Sequence, residues 1–120
     1  MIWSAVGAIG LSLAVMLGAF GAHALRGRLD AYSLDVWQRA VFYHFVHILG
    51  VLVVPLFPLS RVARNWVCGL LVAGVVLFCG SLYALALTGV RTLGAVTPFG
   101  GLSFIAAWIL LAVALLRRPH

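Results

Sequence analysis

Charge is what this sequence has least of. Lys and Arg together number 8 and Asp and Glu together 2 in 120 residues, so 8% of the chain is charged. A soluble domain carries roughly 25%. So few charges do not clothe a water-facing surface. Lysine and glutamate are absent, and every basic residue is an arginine. Without glutamate, and with both aspartates in one loop, no paired-carboxylate chemistry is available. No Ser-His-Asp set and no phosphate-binding loop are visible either, so the sequence offers no catalytic set. Cysteine is nearly absent as well. Cys68 and Cys79 lie in one apolar run. On a single helix they stand roughly 16 Å apart, too far for a disulfide within it, so they read as small buried apolar residues.

What remains is mostly hydrophobic, 65% of the chain. Four apolar stretches are separated by short polar breaks: residues 2–24, 38–57, 65–88 and 97–116. Each has about the 20 residues that a membrane-spanning helix needs. Strands are excluded because the runs are too long and lack alternation. Pro55 and Pro58 mark the end of the second span. Thr97-Pro98 suits the start of the fourth, with Thr as N-cap and Pro at the first helical position. The expected fold is therefore all-α: a polytopic membrane protein of four transmembrane helices forming one unit over residues 1–120.

The segment from Arg26 to Trp37 is the longest break. Leu29, Tyr32, Val36 and Trp37 fall near one helical face, which predicts a short interfacial helix at the headgroups. Asp35 and Arg39 stand four apart and are placed to pair. Ala22-His23-Ala24 mimics a signal-peptidase site. The run before it lacks a basic leader and is longer than a signal core, so it reads as a retained span.

The net charge of +6 does not indicate nucleic acid, because the arginines sit singly or in pairs at the ends of apolar runs. That pattern reads as topology and headgroup contact. Arg61, Arg64, Arg117 and Arg118 fall on the side of the termini, and Arg26, Arg28, Arg39 and Arg91 on the other. The tally is even. The Arg117-Arg118 pair favours termini in the cytoplasm.

Polar side chains collect in the half of the membrane nearest the Arg26–Trp37 loop. His23 ends the first span there. His44 and His47 lie roughly 9 and 13 Å into the second span. Cys79, Ser81, Tyr83, Arg91 and Thr97 occupy the same half, with Tyr43 beside the histidines. Intramembrane ionisable groups are costly unless paired, which makes them functional candidates. His23, His44 and His47 are enough for a transition-metal site, and two imidazoles suffice for haem. The bland reading is that each ring bonds a backbone carbonyl or a hydroxyl and glues helices together. Gly100-Gly101 after Pro98 reads either as an anion site aided by Arg91 or as close helix packing.

Small residues also recur at spacing four: Gly10, Ala14, Gly18 and Ala22 in the first span, Gly69 with Ala73 and Gly80 with Ala84 in the third. Such ridges let helices approach closely in lipid. They serve either packing within the chain or an interface with another subunit.

Four motifs together resemble the YgdD-like family of small inner-membrane proteins: Gly18-Ala19-Phe20-Gly21-Ala22-His23-Ala24-Leu25, Tyr43-His44-Phe45-Val46-His47, Leu77-Phe78-Cys79-Gly80-Ser81-Leu82-Tyr83 and Gly94-Ala95-Val96-Thr97-Pro98-Phe99-Gly100-Gly101. The resemblance implies a four-span protein of the bacterial cytoplasmic membrane, with relatives in eukaryotic organelles and no established activity. The chain departs from it at Cys79, where the family usually has serine. Three functions are compatible with these residues: an accessory subunit packing against other membrane subunits or itself, a metal or haem protein, and a conduit for protons or small solutes.

Overall fold

The structure, a computed structural model, describes residues 1–117 and is helical almost throughout, with no strand among the described residues. Four helical rods are long and apolar enough to cross a membrane. Helix α1 runs Ile2–His23 and α2 runs Ala31–Val53, extended by a 3₁₀ turn over Val54–Leu56. The third rod is α3, Arg61–Gly74, joined through a π-helical turn at Val75–Cys79 to α4, Gly80–Thr88. A 3₁₀ stretch, Arg91–Ala95, leads into α5, Thr97–Arg117. Arg118, half of the terminal arginine pair, lies outside the described residues.

Local chemistry sets the ends. Asp30 caps α2, its carboxylate accepting from the Ser33 N–H at 2.7 Å. Ser60 caps α3, its hydroxyl accepting from the Ala63 N–H at 3.1 Å. Such caps satisfy backbone donors that a helix start leaves open. Gly89 ends α4 in the left-handed region at φ 72°, and its N–H returns to the Leu85 carbonyl. Pro55 cannot continue the α-helical bonding of α2.

The expected interfacial helix is not a separate element. Residues 24–29 form turns, and everything from Ala31 onward is already α2. The cap at Asp30 starts the helix, and no glycine or proline between Ala31 and Trp37 stops it, so the amphipathic face becomes the first two turns of a long rod. Arg39 and Asp35 do pair there, at 2.9 Å with both side chains more than half exposed, an arrangement that adds little stability.

The hydrogen bond to Ser33 holds the Asp30 carboxyl below the usual carboxylate range. A depressed folded pKa adds stability that is present above the unfolded value and lost as pH falls through the folded one. The protection of the Ser33 amide, its exchange measured against the intrinsic rate at the same pH, is therefore expected to fall in acid. Asp30→Asn, which keeps the cap but cannot titrate, is expected to remove that acid limb. Identical acid profiles in the two proteins would contradict this account.

Packing follows where side chains are small. Helix α1 lies along α2 in antiparallel register. A Cβ at Gly7 would meet Leu52, one at Gly10 Ile48, one at Gly18 Val41 and one at Gly21 Trp37. The ridge of α1 is therefore used inside the chain, with Ala14 fully buried and Ala22 exposed. Helix α5 lies along α3 and the π turn, where Gly74 faces the Phe104 ring and Gly100 faces the backbone of Phe78. The core between the rods comprises Trp37, Ala40, Val51, Val67, Cys68, Leu71, Cys79 and Ala107, all at most 2% exposed. Both thiols are free. Large apolar residues such as Phe42, Trp66, Phe99 and Leu102 point outward, where hydrocarbon rather than water satisfies them.

Candidate functional site

The polar half is built where α2, α4 and the start of α5 meet. His44 and Tyr83 make the central pair, with His44 Nδ1 and the Tyr83 hydroxyl 3.0 Å apart. His44 is 3% exposed. Its bond to Tyr83 ties α2 to α4.

His47 faces a different set of neighbours. Its Nδ1 stands 2.8 Å from the Tyr43 carbonyl. A carbonyl only accepts, so Nδ1 carries the proton and donates. The ring stacks on Phe104 of α5 at 3.5 Å between centroids and 14° between planes. Tyr43 packs against Phe78 at 4.5 Å. His47 is therefore an aromatic spacer between α2 and α5, with its one assigned proton given to its own helix.

The π turn explains the third motif. A π turn disturbs the regular bonding ladder and is found mostly as a single turn within α-helices. Here the Ser81 hydroxyl donates to the Phe78 carbonyl at 3.0 Å and lies 2.6 Å from the Thr97 hydroxyl. Thr97 was expected as an N-cap; its hydroxyl instead meets Ser81, pinning α5 to α4. Gly100, one turn on, lets the α5 backbone approach Phe78. Close packing is thus the observed role of Gly100. Cys79 is fully buried inside the turn, and Ser81 supplies the hydroxyl that meets α5.

The structure does not bring His23, His44 and His47 together. His23 is exposed at the end of α1, whereas His44 and His47 are buried in α2. The bonded nitrogens of the two buried rings aim at Tyr83 and the Tyr43 carbonyl. Among the described residues, no three His, Cys, Asp or Glu side chains are grouped as a metal ion requires. The physical reason is the register of α1 on α2: it sets Gly21 against Trp37, so His23 ends beyond the level of the other two. Arg91 is likewise apart from them. Its guanidinium sits over the Tyr32 ring at 4.7 Å, tying the 3₁₀ stretch to the first turn of α2.

The residue the sequence undervalued is Trp37. It is 2% exposed. Its indole N–H donates to the Leu17 carbonyl at 3.0 Å, and its ring lies 4.6 Å from Tyr83 and 6.0 Å from Phe20. A signal was present: Gly21, small and near the end of α1, is a seat for a large ring. No buried side-chain nitrogen or oxygen among the described residues lacks a partner. The polar half combines bonds between rods, His44 with Tyr83 and Ser81 with Thr97, with bonds inside one rod, His47 to Tyr43 and Ser81 to Phe78.

A family profile described as "Protein of unknown function (DUF423)" matches residues 17–101, a stretch that contains Trp37, Tyr43, His44, His47, Ser81, Tyr83 and Thr97. The chain belongs to the DUF423 family. This DUF423 chain is 47% identical over 115 residues to the UPF0382 membrane protein YwdK of Bacillus subtilis, covering 93% of this chain and 94% of that one. It is 46% identical over 113 residues to a UPF0382 membrane protein of Staphylococcus epidermidis, covering 93% of each. A UPF0382 membrane protein of Staphylococcus haemolyticus is 46% identical over 110 residues, covering 91% of this chain and 90% of that one. No solved structure matches. This DUF423 protein is accordingly an integral membrane protein in contact with the lipid bilayer.

Proposed function

We propose that this protein is a structural or accessory subunit that packs in a membrane complex or homo-oligomer, in the bacterial cytoplasmic membrane with both termini cytoplasmic. The resemblance to YgdD-like proteins belongs to the same reading and rests on the four motifs. One observation carries the proposal. A Cβ built on Gly69 or Gly80 would meet nothing within 4 Å. Val62, Trp66, Ala73, Val76 and Leu87 are exposed along the same rod. Gly7, Gly10, Gly18 and Gly21 of α1 are taken up against α2, whereas Gly69, Ala73 and Gly80 of the third rod form a shallow outward stripe. A stripe of this kind admits a neighbouring helix closely. The polar half supports the reading from the other side, because its hydroxyls and ring nitrogens are engaged in bonds within the chain.

The test is cross-linking in native membranes. Ala73→Cys places a thiol on the stripe, while Cys68 and Cys79 are buried. It is expected to give a disulfide-linked pair or an adduct with one other subunit. Adding Gly69→Leu and Gly80→Leu is expected to abolish that product without unfolding the chain. Wild-type protein that runs only at the mass of one chain, with no cross-link from Ala73→Cys, would sink the proposal.

A further inference from the structure

On the side of the termini, away from the polar half, the ends of α1, α2 and α3 enclose a cleft of about 740 Å³. Ligand sites commonly occupy about 300–1,000 Å³. The cleft is lined by Met1, Ile2, Trp3, Pro55, Arg61, Arg64 and Asn65. Its polar side chains offer chiefly donors. Arg61 and Arg64 are three apart on α3 and share a face, and a guanidinium has five N–H donors and no acceptor. Asn65 is fixed by Trp3. An indole N–H only donates, so the atom 2.9 Å away is the amide oxygen Oδ1, and the group left over is the amide NH₂. No carboxylate lines the cleft, and the sole salt bridge among the described residues is the one between Arg39 and Asp35, on the other side.

We propose that this cleft binds the headgroup of an anionic phospholipid. Two guanidiniums and an amide NH₂ match the oxygens of a phosphodiester, which arginine grips in bidentate fashion. The remaining walls are apolar: Met1, Ile2, Trp3 and Pro55. They continue into the outward face of α1, where Ile2 and Ile9 are exposed, a surface suited to acyl chains. Trp3 stands at the depth where indoles favour the membrane boundary. A free phosphate would use the arginines and leave those walls without a partner, so the lipid is the occupant the cleft fits. The site is distinct from the stripe on α3 and α4, and either can fail without the other.

The experiment uses the full chain, purified in a neutral detergent and stripped of lipid. Phosphatidylglycerol, phosphatidylcholine and soluble glycerophosphate are added separately, with native mass spectrometry and thermal unfolding as readouts. Phosphatidylglycerol is expected to remain bound at one per chain and to raise the melting temperature; the other two are expected to do neither. The double variant Arg61→Gln/Arg64→Gln, which alters side chains at the protein's edge, is expected to keep the unliganded melting temperature. It is expected to weaken retention by about tenfold or more, the loss of at least one charge-assisted contact. Arg26→Gln/Arg28→Gln, on the other side of the membrane, is expected to bind as wild type. Retention of phosphatidylglycerol unchanged in Arg61→Gln/Arg64→Gln, or matched by phosphatidylcholine, overturns the proposal. Stabilisation by glycerophosphate as large as that by the lipid also overturns it, because the acyl walls would then contribute nothing.

Discussion

Gly100→Ala is expected to destabilise this protein by about 1–3 kcal/mol, the cost of forcing an extra group into a packed interface, while the same change at Gly80 stabilises it. The chemical change is identical, so the difference isolates what each site faces. A Cβ on Gly100 would collide with the backbone nitrogen of Phe78 and stand 2.8 Å from its Cα. Backbone atoms cannot rotate away as a side chain can. Either α5 or the π turn has to move, and movement there separates the hydroxyls of Ser81 and Thr97, which lie 2.6 Å apart. A Cβ on Gly80 meets nothing, and a helical Gly→Ala change gains roughly 0.5–1 kcal/mol from the unfolded chain. Gly7→Ala is expected to follow Gly100→Ala, because its Cβ would stand 2.5 Å from the Leu52 nitrogen. Thermal unfolding of the three variants in one detergent decides the matter. A Gly100→Ala protein within about 0.5 kcal/mol of wild type, the range of neutral surface changes, would show that α5 does not pack tightly on the π turn.

These glycines also show what the sequence could and could not disclose. The number of spans was legible because hydropathy over 20 residues depends on the lipid alone. The stop at Pro55 was legible too, whereas the caps at Asp30 and Ser60 start the second and third rods before the expected residues 38 and 65. The π turn was not legible. Nothing in Val75-Val76-Leu77-Phe78-Cys79 by itself forbids an α-helix; the turn is visible only beside the Ser81 hydroxyl that donates to the Phe78 carbonyl and the Gly100 that lies against it. Which ridge faces inward was equally hidden. Gly10 and Gly69 look alike in a spacing rule, yet one meets Ile48 and the other meets nothing, because α1 has α2 to pack against while that face of α3 is uncovered.

For the candidate site, depth was legible and direction was not. Counting residues from the loop placed His44, His47, Ser81, Tyr83 and Thr97 in one half of the membrane, and the bonds from His44 to Tyr83 and from Ser81 to Thr97 form there. Residue counting does not say where a ring points. His44 and His47 share a helix and a neighbourhood, but one bonds across to α4 and the other back to its own backbone. His23 was grouped with them by level alone. The reading of Trp37 failed for a related reason: the amphipathic pattern from Leu29 to Trp37 suits a headgroup helix as well as the first turns of a long rod. The decision belongs to Asp30, which starts α2 early enough to carry the indole onto α1.

Trp37→Ala is accordingly expected to have the largest effect of any change in the polar half, about 3–5 kcal/mol for removing a buried large aromatic side chain. Three contacts go at once. The indole N–H no longer donates to Leu17 on α1, Gly21 loses the ring that fills the space before it, and Tyr83 loses its neighbour at 4.6 Å. The first two are contacts of α1, whose loop-side half rests on this ring, while at the other end the Ser4 hydroxyl still donates to the Leu52 carbonyl at 3.0 Å. Loss is therefore expected to be directional. Backbone amides of α1 from Leu17 to His23 should exchange faster with solvent, those near Ser4 less so, and those of α5 least, because α5 is held by Ser81, Phe78 and Gly74. Trp37→Phe separates the terms. It keeps a smaller ring beside Gly21 and Tyr83 while removing the donor, so it is expected to cost less than Trp37→Ala, about 1–3 kcal/mol. Because Tyr83 also bonds His44, Tyr83→Phe combined with Trp37→Ala should depart from additivity, as neighbours sharing a partner do. Uniform acceleration of exchange along all four rods in Trp37→Ala would mean that α1 and the remaining helices unfold as one unit, and that the indole is a keystone of the whole chain rather than the anchor of its first helix.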